Sequence, residues 1–131
     1  MDVVHARFAY FFPHPRFDPS PGLREVARVL RPGGKLVVID NDQHRGEFAR
    51  LLAASPGAEA QGRGEYPTRW WAGQGAVTTR VMSSWTFDSA EDLERVLHLE
   101  FPSEVVLPWL RGRPGVTNLS YGYLLHTWRK P

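Results

Sequence analysis

The chain has 131 residues, 42% of them hydrophobic and 23% charged, with a formal net charge of +2. That is chain enough for one domain with a buried core, and no window approaches the roughly 18 apolar residues needed to cross a bilayer. With no cysteine, disulfides and thiolate metal sites are excluded.

The start lacks a signal peptide's basic region and small-residue cleavage site, so the expectation is a cytoplasmic protein. Of the 16 cations only Lys35 and Lys130 are lysines, and the rest are Arg. Arginine suits phosphate recognition. Here, however, the arginines are spread along the chain among 14 acids, without a basic run. Neither a nucleic acid nor a membrane is expected as a partner.

The first element is a run from Val3 to Phe12, apolar except for His5 and Arg7. Such a run suggests a strand covered on both faces. His5, set in apolar surroundings, reads as a buried, hydrogen-bonded histidine. "DPSPGLREVARVLRPGGKLVVID" follows. Ser20 suits an N-cap and Pro21 the first helical position. Leu23, Val26, Ala27 and Leu30 form one apolar stripe at helical spacing. Pro32 stops the helix, Gly33 and Gly34 permit a tight return, and Leu36 to Ile39 read as a second buried strand. A strand, a short helix and a strand make a βαβ unit with a parallel pair.

Asp40, Asn41 and Asp42 end that strand, and Asp42 is placed to cap a helix whose stripe is Phe48, Leu51 and Leu52. Residues 55–75, rich in Gly, Ala and Pro, read as a loop or insertion carrying the adjacent Trp70 and Trp71. Residues 76–87 alternate as a third strand. Residues 88–101 form a helix with Ser89 as N-cap and Asp92 three residues on. A short segment from Val105 to Leu110 and an RGRPG turn lead to a last, antiparallel strand over 116–129. The fold class is α/β, in a single domain over 1–131.

The stretch from Asp2 to Asp40 resembles the second half of a class I S-adenosylmethionine-dependent methyltransferase. In that family the fourth strand opens with an Asp, and a helix ending in Arg-Val-Leu leads through a Lys/Arg-Pro-Gly-Gly turn to the fifth strand. Arg28-Val29-Leu30-Arg31-Pro32-Gly33-Gly34 matches that pattern, with Asp2 at the strand opening. The resemblance implies a partial Rossmann-like methyltransferase sheet, from the fourth strand onward, with S-adenosylmethionine as cofactor and a small molecule as methyl acceptor. It places the backbone of Ala6, Arg7 and Phe8 beside the cofactor. The family's glycine-rich cofactor turn precedes the fourth strand and does not occur in these residues, so the chain is expected to be a truncated domain.

Ligands bind outside the carboxyl ends of parallel strands, which makes Tyr10, His14, Asp42 and His44 candidates on the substrate side. Where relatives often carry histidines, this chain has Phe11 and Phe12, and His14 is a displaced substitute. Trp70 and Trp71 suit either an aromatic substrate wall or internal packing. Five histidines, none within eight residues of another, offer no local metal spacing. Two functional readings stand: a methyltransferase portion, or a non-catalytic dimerisation or interaction module. In either, the Val3 to Phe12 strand forms an apolar edge that invites a homo-oligomer, most simply a dimer, or a missing N-terminal half.

Overall fold

The computed structural model describes residues 1–56 and 65–131. The elements are β1 (Val3–Arg7), α1 (Ser20–Val29), β2 (Lys35–Asn41), α2 (Glu47–Ala54), α3 (Tyr66–Gly73), β3 (Val77–Thr86), α4 (Ala90–Glu100), α5 (Ser103–Arg111) and β4 (Asn118–Arg129). The strands form one sheet in the order β1-β2-β4-β3. β1 runs parallel to β2 with Val3 opposite Lys35, and β2 runs antiparallel to β4 with Lys35 opposite Arg129. The mixed α/β class, the parallel opening pair and the antiparallel last strand agree with the sequence. The chain divides into two compact units.

The first unit comprises Met1–Asn41, Gln61–Val81 and Tyr123–Pro131. Its core holds Leu23 and Leu30 of the α1 stripe, Leu36 and Val38 of β2, Phe11 and Trp71, with Val4, Ala6 and Trp128 packed against them. Each such side chain taken from water contributes roughly 1.5–3 kcal/mol. The turn between α1 and β2 needs both of its glycines. Gly33 has φ 78°, and a β-carbon on Gly34 would lie 2.9 Å from the Arg31 carbonyl oxygen. The Asp2 carboxylate accepts a hydrogen bond from Arg31 across this turn. Both side chains are exposed, so the pair adds little energy.

Three expectations for this unit need correction. β1 is five residues long rather than ten, because Phe8 and Tyr10 adopt left-handed backbone, φ 50° and 58°, which a strand cannot contain. Phe11 thereby turns into the core, its ring 5.6 Å from that of Trp71. β1 is also not covered on both faces: exposure alternates, and Val3, His5 and Arg7 lie open. α1 and α3 both pack on the other face, so His5 is not buried. Finally, Ser20 is the first helical residue and not the N-cap. Pro19 holds the N-cap position without a side-chain cap bond, and Asp18 before it accepts from the Ser20 hydroxyl at 2.6 Å and from its N–H at 2.9 Å. These bonds hold the Asp18 carboxyl below its ordinary pKa.

The expected loop over 55–75 contains a helix in its second half. α3 occupies Tyr66–Gly73, with Pro67 in its first turn, where a missing N–H costs nothing. Residues 57–64 of that expectation lie outside the described residues.

The second unit comprises Asp42–Ala60 and Met82–Gly122. Phe48 of α2 stacks on Tyr121 with centroids 4.1 Å apart, and meets Trp85 and Phe101 at 5.0 and 5.3 Å. α4 begins as its sequence foretells, Ser89 accepting from the Asp92 N–H at 3.1 Å, and it buries Leu93 and Leu97. The segment at Val105 is a full helix, α5, despite Pro108. α2 does not use Asp42 as its cap. Its N-cap is Gly46, and the N–H of Glu47 donates to Ser120 Oγ at 2.8 Å.

Candidate functional site

The parallel pair of the first unit ends at Arg7 on β1 and Asn41 on β2. There the backbone is pulled out of regular geometry. Phe8 donates its N–H to the Ile39 carbonyl at 3.1 Å, extending the ladder by one bond, and then turns left-handed. Its ring lies 6.0 Å from that of Tyr123, inclined at 44°, and the Arg7 guanidinium sits 5.7 Å from the Phe8 centroid. Arg7, Phe8 and Tyr123 thus form an aromatic corner with one cation at its side.

Asp40 stands at the same rim, on the face shared by Leu36 and Val38. Burial raises its carboxyl pKa, although the Asn41 N–H donates to it at 2.7 Å. Its place at the carboxyl end of a strand makes Asp40 a candidate functional group. An open depression of about 190 Å³ adjoins the corner, lined by Arg7, Ile39, Val81, Tyr123 and Leu125. It falls below the roughly 300–1,000 Å³ of small-molecule pockets, so these residues do not enclose a ligand by themselves.

The remaining candidates are dispersed. Ala6 packs against the core. The Tyr10 hydroxyl accepts from the Gly22 N–H at 3.1 Å, and its ring meets Phe11 and Phe17. His14 accepts the Arg16 N–H on Nδ1 at 3.1 Å, holding a tight turn. Trp71 is wholly buried and Trp70 packs edge-on against it, so Trp71 is a core residue rather than a pocket wall. Asp42 and His44 belong to the second unit. Asp42 is buried there and accepts the His44 N–H at 2.9 Å.

One group escaped the sequence reading. His126 is completely buried, stacked on Trp71 at 5.7 Å and 16°, with Nδ1 2.8 Å from Thr78 Oγ1. Burial lowers its pKa to about 4, so the ring is neutral at pH 7. Neither His126 Nε2 nor Trp71 Nε1 has a hydrogen-bond partner among the described residues. The available signal was its place on β4 between Leu124 and Trp128, a polar residue on an apolar face. Among the described residues no group of three or more His, Asp or Glu side chains is placed to hold a metal, and no helix is long and apolar enough to cross a membrane.

No protein-family model and no curated protein matches the sequence. Among solved structures the chain is similar to a protein of Bacillus halodurans described as a candidate methyltransferase, with 18% identity and a TM-score of 0.46. The match covers 98% of this chain and 64% of that one, so this chain spans less than two thirds of its length.

Proposed function

We propose that the chain is a portion of an S-adenosylmethionine-dependent methyltransferase acting on a small molecule, and that the carboxyl end of β1 walls the methionine end of the cofactor. The observation that carries this reading is the left-handed backbone at Phe8 and Tyr10. Such conformations cost about 1–3 kcal/mol each for bulky residues and gather where a ligand requires them. The first falls on Phe8 itself and the second two residues on, at the end of Ala6, Arg7 and Phe8, the residues to which the family resemblance assigns the cofactor.

The side chains present suit that end of the molecule. The rings of Phe8 and Tyr123 offer faces to a sulfonium cation, and Arg7 offers a cation to a carboxylate. When bound, the cofactor supplies an electrophilic methyl group. The contribution of this chain is to hold and orient, which is most of what an in-line transfer asks of a protein.

Calorimetric titration of S-adenosylmethionine into the purified chain tests the reading. Micromolar binding that weakens about tenfold or more in Phe8→Gly supports it, since that change removes the ring while relieving the backbone. A folded chain that takes up no cofactor overturns it.

The exposed edge of β1 favours a second reading, a non-catalytic dimerisation or interaction module. β1 ends the sheet order, and Val3 on it is 55% exposed. Pairing along this edge joins either two copies or a separate N-terminal half. Light scattering that finds only monomer at micromolar concentration removes the two-copy form.

A further inference from the structure

The corner between α4 and α5, in the second unit, gathers a serine, a histidine and a carboxylate. α4 ends at Glu100 and α5 begins at Ser103, so Phe101 and Pro102 alone join them. Both joining residues are extended and Phe101 is buried, which turns the chain back and sets Ser103 beside the last turn of α4. There Ser103 Oγ lies 3.3 Å from His98 Nδ1. Across the ring, His98 Nε2 lies 3.7 Å from Glu94 Oε1, one helical turn back.

The roles follow from the groups themselves. A carboxylate only accepts, so the ring nitrogen that faces Glu94 carries the proton. Nδ1 is left as the acceptor, and the Ser103 hydroxyl donates to it. A nucleophile, a base within its reach and a third group that orients the base are the parts of covalent acyl transfer. Their distances are commonly long until a substrate tightens them.

Two further features serve the same chemistry. The N–H groups of Ser103 and Glu104 open α5 without intrahelical partners, and Pro102 before them supplies no side-chain cap. Both adjoin the serine, where an oxyanion would need donors. An open depression of about 570 Å³, lined by His98, Glu94 and Leu99 among others, lies beside the histidine. That volume is within the range of small-molecule sites. Leu99 is 86% exposed there and offers an apolar surface.

We infer that Ser103, His98 and Glu94 form an esterase site for small, neutral carboxylic esters. Ser103 Oγ attacks the ester carbonyl carbon while its proton passes to His98 Nδ1. The bond from that carbon to the alcohol oxygen breaks, and the alcohol leaves with the proton. Water then attacks the acyl-serine and gives a proton to Nδ1. The carboxylic acid departs as Ser103 Oγ takes the proton back. Glu94 is a positioning residue, which fixes the tautomer of the ring and offsets the charge of the imidazolium. Glu91 and Glu94 disfavour an anionic substrate, because Arg95, the cation of the depression, is engaged by Glu91 and Asp92.

Hydrolysis of p-nitrophenyl acetate by the purified chain tests the inference, read by nitrophenol release and by mass mapping of the acetyl group. A burst of nitrophenol with the acetyl group on Ser103 is expected. Ser103→Ala is expected to remove the burst and to lower turnover about a hundredfold. Glu94→Gln keeps an acceptor for the ring N–H but not its charge. It is expected to lower kcat about tenfold with KM unchanged, a split that lost packing would not give. Ser103 and Glu94 are exposed, and circular dichroism establishes that both variants are folded. A fluorophosphonate applied to the parent chain decides the matter without any variant, since it is expected to label Ser103. Hydrolysis undiminished in Ser103→Ala, which assigns it to the imidazole alone, overturns the inference. So do kinetics indifferent to Glu94→Gln, or acetyl and fluorophosphonate groups found elsewhere than on Ser103.

Discussion

Tyr10 lies directly over Gly22: its hydroxyl accepts the Gly22 N–H at 3.1 Å, and a β-carbon on Gly22 would fall 2.1 Å from the tyrosine ring. The first turn of α1 and the left-handed loop after β1 therefore hold each other. Alanine is ordinarily favoured over glycine in a helix by about 1 kcal/mol. Here Gly22→Ala is expected to destabilise, by about 1 kcal/mol, because the ring must leave and the strained backbone at Tyr10 loses its anchor. In a Tyr10→Ala background the same change is expected to stabilise. Urea denaturation of the four proteins in a double-mutant cycle reads the reversal of sign. Additive effects would mean that the two residues do not support each other.

Glu47 and Ser120 form a cap from residues distant in sequence. The Glu47 N–H donates to Ser120 Oγ at 2.8 Å, while the Ser120 N–H donates weakly back to the Glu47 carboxylate at 3.4 Å. This has the logic of a capping box with the two halves supplied by β4 and α2. Ser120→Ala is expected to cost about 1 kcal/mol, as losing an N-cap does. Asp42→Asn, at the residue the sequence favoured as cap, is expected to leave the start of α2 unchanged. Amide hydrogen exchange at residues 47–50 distinguishes the two.

What the sequence discloses follows from how far each cause reaches along the chain. The βαβ unit was legible because its causes are local: the stripe at Leu23, Val26, Ala27 and Leu30, then Pro32 and the two glycines. Ser89 and Asp92 sit three residues apart, and their cap was legible for the same reason. α3 was missed because Pro67 reads as a breaker, yet a proline in the first turn is compatible with a helix. Pro108 hid α5 too, although it sits inside that helix rather than in its first turn. The left-handed turn at Phe8 and Tyr10 has no local signature at all, since neither residue favours that backbone. It is held by the burial of Phe11 and the seat of Tyr10 on Gly22. Ser120 as a cap and His126 as a core residue depend on tertiary neighbours, and no reading of adjacent residues supplies those.

Asp40 carries a carboxyl whose pKa is raised by burial. Ionising it costs the folded state more than the unfolded one, so its contribution to stability falls as pH rises from its unfolded value of about 3.8 through its folded one. Asp40→Asn keeps an oxygen for the Asn41 N–H and removes the charge. Its unfolding free energy at pH 7 is expected to exceed that of the parent chain, with the difference closing as the pH falls below the folded pKa. Should the parent be the more stable at pH 7, the carboxylate would have a stabilising partner in the folded state, and its reading as a costly, functional group would fall.

His126 acts in the opposite sense over an overlapping range. Its folded pKa is about 4 against 6.5 for an unburied ring, because burial disfavours the imidazolium. Above pH 6.5 the ring is neutral in both states and costs nothing. Between 6.5 and 4 the unfolded chain takes up a proton that the folded chain refuses, so stability is lost progressively as pH falls. Below 4 both states are charged and the loss stops growing. The full effect is about 3 kcal/mol, a large part of what a small domain has. Denaturant unfolding from pH 7 to 4 is expected to show this decline, with a slope approaching one proton. His126→Gln retains a polar partner for Thr78 and has no titrating group, so its profile is expected to lack that component, although its stability at pH 7 is lower. A variant whose stability declines with acid as steeply as the parent's would show that protonation elsewhere, and not at the ring stacked on Trp71, governs the acid response of this fold.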